Sequence, residues 1–179
     1  AEGKGIFCVA PFSKGFLCGC EDGLVRMYTK SDDRMEMFTL GSTFCIKDSV
    51  ESRVTNITVS PSEDHLLCST DTKQMFALGL SDTEIMQAED MKFHHLITPF
   101  HEPNSERVAE ITGMDVCVRK QLVATCGVDR SVRIWNYGEQ CVEIQKKFDE
   151  APQSVAFHPN GLQIIVGFSD KLRIMDLLM

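Results

Sequence analysis

Cys18 and Cys20 stand two apart in the run GFLCGC, His94 and His95 stand side by side in FHHLITPF, and aspartates at 22, 71, 129 and 170 each follow an apolar run. The first two sets are metal-ligating types, and the aspartates are a type used for acid–base work. On a strand Cys18 and Cys20 share a face, but a zinc site would need a second Cys pair or a placed His, and no such spacing accompanies them. They read as core thiols. His94 and His95 point to opposite faces of a strand, and Glu102 and Glu106 do not fall at a ligand-like spacing from them. They read as solvated histidines, so no metal and no cofactor is expected. A Gly-x-Ser-x-Gly elbow, a phosphate loop and a His-Glu-x-x-His pair are all missing, and the glycines lie singly at turns. Catalysis has no evident seat, and the expectation is a protein that is not an enzyme.

The aspartates recur because their surroundings recur. GFLCGCEDGLVRMY, HLLCSTDTKQMFAL, LVATCGVDRSVRIWNY and QIIVGFSDKLRIMDL share one plan, an apolar β-like run, a short turn with Asp, then an alternating run. Their aspartates, Asp22, Asp71, Asp129 and Asp170, are spaced by 49, 58 and 41 residues. Repeated turns of successive units sit well apart, so a paired acid and base drawn from them is not expected; they read as structural turn residues. Each copy follows another short β-like run, as in VTNITVSPSEDH, ITGMDVCVRKQ and SVAFHPNG, where Ser60-Pro61 and His158-Pro159 mark tight turns. Weaker runs, MEMFTL at 35–40 and CVEIQKKF at 141–148, suit an outer edge strand, and FHHLITPF at 93–100 can serve the same purpose in the second unit. HEPNSERVAE, at 101–110, reads as an exposed loop and as a specialised surface. Only SDTEIMQAEDMK leaves a helical reading open.

Four antiparallel strands per unit of roughly 40 to 45 residues make the blade of a β-propeller. The expected fold is all-β: about four blades of four-stranded antiparallel sheets over 1–179, in units of roughly 1–40, 41–100, 101–148 and 149–179, with no internal domain boundary visible. Four blades cannot cover their own terminal edges, the last unit stops at LLM short of an outer strand, and the chain starts at Ala1. The expectation is a part of a larger protein.

The 179 residues are 43% hydrophobic, and no apolar run approaches the ~20 residues of a membrane span. Eight cysteines set within apolar runs read as buried free thiols of a reducing compartment. The net charge of −8 falls on residues 1–110, which carry 10 basic and 18 acidic side chains, whereas 111–179 carry 8 of each. No cluster of Lys and Arg dominates, which disfavours nucleic acid as a partner. Arg119, Lys120, Arg130 and Arg133, with Lys171 and Arg173, form one locally basic zone, read either as solvated strand and turn positions or as a surface for an acidic partner.

In the third unit a buried indole N–H needs an acceptor, and a turn Asp can accept from backbone amides and from a neighbouring Arg. ATCGVDRSVRIWN resembles a WD40 repeat, whose units end in Trp-Asp and hold a tight Asp turn before that strand. The resemblance implies a structural network, which maps onto Thr125, Asp129 and Trp135; the family's His has no counterpart. Asn136 replaces the terminal Asp, and the other units end in Met27-Tyr28, Ala77-Leu78 and Met175-Asp176. FHHLITPFH, ATCGVDRSVRIWNY and HPNGLQIIVGFSDKLRIMDLLM are similar to the propeller region of the WD-repeat cilia- and flagella-associated proteins.

That likeness implies a non-catalytic scaffold of the cytoplasm and cytoskeleton, in the axoneme of a cilium or flagellum. Its implied partners are proteins, the inner dynein arm and the doublet microtubule, with no nucleic acid and no membrane. Two alternatives follow from the fold alone: an adaptor of a trafficking or ubiquitin-ligase complex that reads a peptide on its central face, and a propeller hydrolase, for which an acid, base or metal cluster is wanting.

Overall fold

A computed structural model describes residues 5–33, 35–46, 53–71, 74–80, 87–90 and 110–177, with backbone only at 79 and 87–90. All regular structure among them is strand. The chain divides into two compact units, Ala1–Asp90 and Met91–Met179. In the first, β1 (Ile6–Phe12), β2 (Gly15–Cys20), β3 (Leu24–Lys30) and β4 (Phe38–Ile46) form an antiparallel meander. A second meander follows in β5 (Val54–Val59), β6 (His65–Thr70), β7 (Met75–Gly79) and β8 (Gln87–Asp90). A short parallel ladder, Cys45 opposite Gln87 and Ile46 opposite Ala88, joins the two into one eight-stranded sheet. The second unit holds β9 (Ile111–Val116), β10 (Leu122–Gly127), β11 (Ser131–Asn136) and β12 (Cys141–Lys147), then the three-stranded β13 (Ser154–Phe157), β14 (Gln163–Gly167) and β15 (Leu172–Asp176).

The sequence pattern explains which strand lies where. β10, LVATCG, is buried along its whole length, as a central strand covered on both faces must be, whereas β12, CVEIQKK, alternates and ends in exposed residues, as suits an outer strand. Successive meanders pack face to face within each unit. Leu17 and Val25 of one meet Val54, Ile57 and Leu66 of the next in one core, and Ala124, Val132 and Ile134 meet Val155, Ile164 and Val166 in the other. Leu17 and Leu66 have no exposed surface, so truncating either to Ala would cost about 2–5 kcal/mol.

Two kinds of turn recur. In Ser60–Glu63 and His158–Gly161 the fourth amide donates to the first carbonyl at 2.9 Å in each, and Pro at the second place presets its φ. The Asp turns close likewise, Gly23 N–H to Cys20 O at 3.4 Å and Arg130 N–H to Gly127 O at 3.1 Å. Gly23 and Arg130 are both left-handed, at φ 72° and 65°, a conformation that glycine adopts freely and arginine at a cost.

Several expectations change. β4 begins at Phe38 and continues to Ile46, past the unit boundary at 40, and leaves Met35 and Met37 exposed ahead of it. The outer strand of the second meander is Gln87–Asp90, within the stretch where a helical reading was open. FHHLITPF, with His94 and His95, lies outside the described residues, as does HEPNSERVAE apart from Glu110. All eight cysteines are free, but Cys45 is exposed and Cys8 and Cys141 are half-buried, each on the first or last strand of its meander. Among the described residues no helix is long and apolar enough to cross a membrane.

Candidate functional site

The hairpin of β10 and β11 gathers a buried polar cluster. Asp129, at its turn, accepts from the Ser131 amide at 3.0 Å and from the Ser131 hydroxyl at 2.8 Å to each carboxylate oxygen. Arg133 Nη2 lies 3.6 Å from Asp129 Oδ2, with side chains 1% and 3% exposed. Two residues on, the Trp135 indole N–H donates to Thr125 Oγ1 at 2.7 Å, and the Arg133 guanidinium stands 5.8 Å from the Trp135 ring centroid. The register accounts for this: Thr125 faces Arg133 across the strands, and Val123 faces Trp135. Asp, Ser, Arg and Trp at steps of two therefore line one face of β11.

The hairpin of β2 and β3 repeats the plan with other residues. Asp22 accepts from the Leu24 amide at 3.3 Å and from Arg26 Nη2 at 2.8 Å, and Arg26 Nη1 donates to Cys20 Sγ at 2.6 Å. Tyr28 takes the place of Trp135 and stacks on Phe16 opposite, centroids 5.1 Å apart. Burial of the Asp22 carboxyl opposes ionisation, yet the hydrogen bond and charge of Arg26 hold it below its ordinary value.

The other two turn aspartates do different work. Asp71 accepts from the Arg53 amide at 3.0 Å and fastens the start of β5. Asp170 is 73% exposed and lies 3.7 Å from Lys171 Nζ, because four residues connect β14 to β15 where three connect β10 to β11. The fourth position after each is Met75 or Ile174, so neither has the arginine partner.

The basic zone forms only in part: Lys171 and Arg173 both stand over the Phe168 ring. Arg133 is 1% exposed and committed to Asp129 and Trp135, so it is neither a solvated residue nor a partner contact. Arg119 and Lys120 lie in the connection before β10 and Arg130 in the turn after it, at opposite ends of a six-residue strand that spans ~20 Å. All three are exposed.

Three further groups escaped sequence reasoning. Ser60, Ser62, Asp64 and His65 gather in the turn after β5, but both hydroxyls donate to Asp64 Oδ1, at 2.7 and 2.5 Å, rather than to His65 Nδ1, which also meets Asp64 at 2.8 Å. Those hydroxyl bonds, with His65, lower the Asp64 carboxyl well below its ordinary range. The set makes a turn and does not aim a nucleophile at a base. Glu139, Cys141 and Glu143 bring three ligand-type atoms within 4.8 Å of one another; the alternate spacing in GEQCVEI was the available signal. Asp115, on β9, accepts from the Phe157 amide at 2.6 Å, and Thr112 Oγ1 donates to Pro152 O at 2.7 Å, so β9 is fastened to the neighbouring sheet at two points. Burial raises the Asp115 carboxyl above its ordinary value although the Phe157 and Val116 amides oppose the shift.

Meanders with Asp turns before the third strand define blades of the β-propeller type, and the family described as WD domain, G-beta repeat matches residues 100–136, which include β9, β10 and β11. Residues 100–136 therefore carry a WD40 repeat. Over 97% of its length it is 38% identical to the mouse (Mus musculus) "Cilia- and flagella-associated protein 57", of which it covers 14%. It is likewise 38% identical, over 96% of its length, to "Cilia- and flagella-associated protein 57 A" of Tetrahymena thermophila, of which it covers 13%. At 23% identity, 86% of the chain aligns with 20% of the "77 kDa echinoderm microtubule-associated protein" of Strongylocentrotus purpuratus. The chain thus spans about a seventh of the length of the first two relatives.

Proposed function

We propose that the chain is a non-catalytic protein-interaction scaffold of the cilium or flagellum, placed on the axoneme, where it helps to assemble or regulate inner dynein arms on doublet microtubules. The observation that carries this reading is 38% identity over nearly the whole chain to proteins named for cilia and flagella in both a mouse and a ciliate. The site geometry supports it: three of the four carboxylates that sequence alone offers for acid–base work, Asp22, Asp71 and Asp129, are occupied by turn amides, arginines and hydroxyls. Blade edges and turns then carry the function, and proteins are the partners.

The test is affinity purification of the tagged protein from ciliated cells, with residues 1–179 deleted in a parallel sample. Recovery of inner-arm dynein or doublet-microtubule proteins only when those residues are present is the expected result. Recovery of vesicle-coat or ubiquitin-ligase components in their place would overturn the ciliary reading.

A further inference from the structure

Phe148, which follows β12, and Phe168, which follows β14, meet edge to face with centroids 5.2 Å apart and planes at 66°. Three cations stand over these two rings. Arg173 Cζ lies 5.7 Å from the Phe148 centroid and 5.3 Å from that of Phe168; Lys146 Nζ lies 5.8 Å from Phe148, and Lys171 Nζ 5.8 Å from Phe168. The rings are half-buried and buried, and all three cationic side chains reach solvent.

The charges are not equally committed. Lys171 is paired with Glu150 and lies 3.7 Å from Asp170. No carboxylate among the described residues pairs with Arg173 or Lys146. An aromatic face holds a cation in place without cancelling its charge, and the long stems cover the ring while the N–H donors stay in water. Two like charges drawn to one ring repel each other, and an anion removes that repulsion. Arg130, whose Nη1 donates to the Asp149 carbonyl at 3.2 Å, adds a cation from the same end of its sheet.

We propose that Arg173 and Lys146, carried on the Phe148–Phe168 pair, are the docking point for an acidic polypeptide segment on a partner protein, whose carboxylates meet the two cations that no described carboxylate pairs. The inference rests on the scaffold reading above and names the chemistry of one partner. The two cations reach one ring from different strands, β15 and β12, so each can meet its own carboxylate along an acidic chain. A single phosphate would call for donors that converge on one point. The surface keeps Arg173, with Lys171 and Arg130 beside it, from the zone expected from sequence, adds Lys146, and excludes Arg119, Lys120 and Arg133.

The test is fluorescence anisotropy of a fluorescein-labelled hexaglutamate peptide on the full chain at low salt, with hexaglutamine as the uncharged control. Hexaglutamate should bind and hexaglutamine should not. The Lys146→Gln, Arg173→Gln double variant should bind about tenfold more weakly, a loss of about 1.4 kcal/mol, and Arg173→Lys should retain most of the affinity. Arg119→Gln with Lys120→Gln should stay within about twofold of the parent, because both lie elsewhere. If the double variant melts below the parent, Lys146→Gln alone, an outer-strand substitution, should still weaken binding about threefold. Absence of hexaglutamate binding, equal loss in the Arg119/Lys120 variant, an unaffected double variant, or competition by inorganic phosphate at concentrations equal to the peptide would each overturn the proposal. Failure here with ciliary partners still recovered in the purification would leave the scaffold reading standing; failure of the purification would leave this binding measurement interpretable by itself.

Discussion

Trp135 gives its indole N–H to Thr125 at 2.7 Å, and neither residue has any exposed surface. The indole would otherwise lie in the core with an unmet donor, which costs about 1–3 kcal/mol. Thr125→Val, which preserves shape and removes the acceptor, should lower stability by about that amount, whereas Thr125→Ser should recover most of it. Urea midpoints of the two variants measure the difference; equal midpoints would show the hydrogen bond to be immaterial.

Asp22 and Arg26 make the stability of the first unit sensitive to acid. The folded-state value of Asp22 lies below its unfolded one, so its contribution is complete above the ordinary carboxylate value of about 3.9 and is lost as pH falls through the depressed folded value. Asp22→Asn should cost about 1–2 kcal/mol at pH 7, and its stability should fall less steeply than the parent's on acidification. Urea titrations at pH 7, 5 and 3 give both slopes, and parallel curves would refute the assignment.

Asp115 has the opposite sign. Burial raises its folded value above the unfolded one, so the protein loses stability as pH rises through the interval between them, and at pH 7 the charged carboxylate is a burden. Asp115→Asn keeps an acceptor for the Phe157 amide and should be neutral or stabilising at pH 7, while Asp115→Leu leaves that amide unmet and should cost about 1–3 kcal/mol. Thermal melting at pH 7 separates the two, and a strongly destabilised Asn variant would contradict this account.

Gly113 brings β9 close to β13. A Cβ there would lie 3.0 Å from Ser154 Cα and 3.1 Å from the Val155 nitrogen, both backbone atoms that cannot swing aside. Gly113→Ala should therefore destabilise by about 1–3 kcal/mol. Gly41→Ala, whose Cβ would find its nearest neighbour at 3.6 Å, is the control that should stay near the parent. Comparison of their melting temperatures decides between a packing cost and a general intolerance of the strands.

The thiols should sort by burial when the native protein meets iodoacetamide at pH 8. Burial pushes Cys8 and Cys68 up to about 12 and Cys126 to about 11, so little thiolate forms at any of them. Exposed Cys45 should alkylate first, and mass spectrometry of the digested protein reads the order. Early labelling of Cys68 would show that the first unit opens readily.

Much of this was legible in sequence because the repeat is spelled out locally. An apolar run, an Asp turn and an alternating run specify a hairpin by short-range rules, and the turns at Ser60-Pro61 and His158-Pro159 sit where their dipeptides put them. Arg133 was misjudged because the type of a residue suggests solvent, while its register opposite Thr125 and four places after Asp129 sends it inward. Arg119 and Arg130 looked like neighbours because eleven places of sequence hide a strand that carries them to opposite ends. Asp170 looked like Asp129 because the difference is one residue in a turn. The Phe148–Phe168 pair was invisible, since it joins residues twenty places apart on different sheets.

The ladder between β4 and β8 bears on how the first unit assembles. Every other pairing in that sheet joins strands consecutive in the chain, so hairpins can form quickly from short closures. Cys45 and Gln87 must close a far longer loop for two rungs of parallel pairing, with little to repay the lost entropy until both meanders exist. That ladder should thus be the last part of the sheet to form and the first to exchange its amides, an order that hydrogen exchange reads residue by residue.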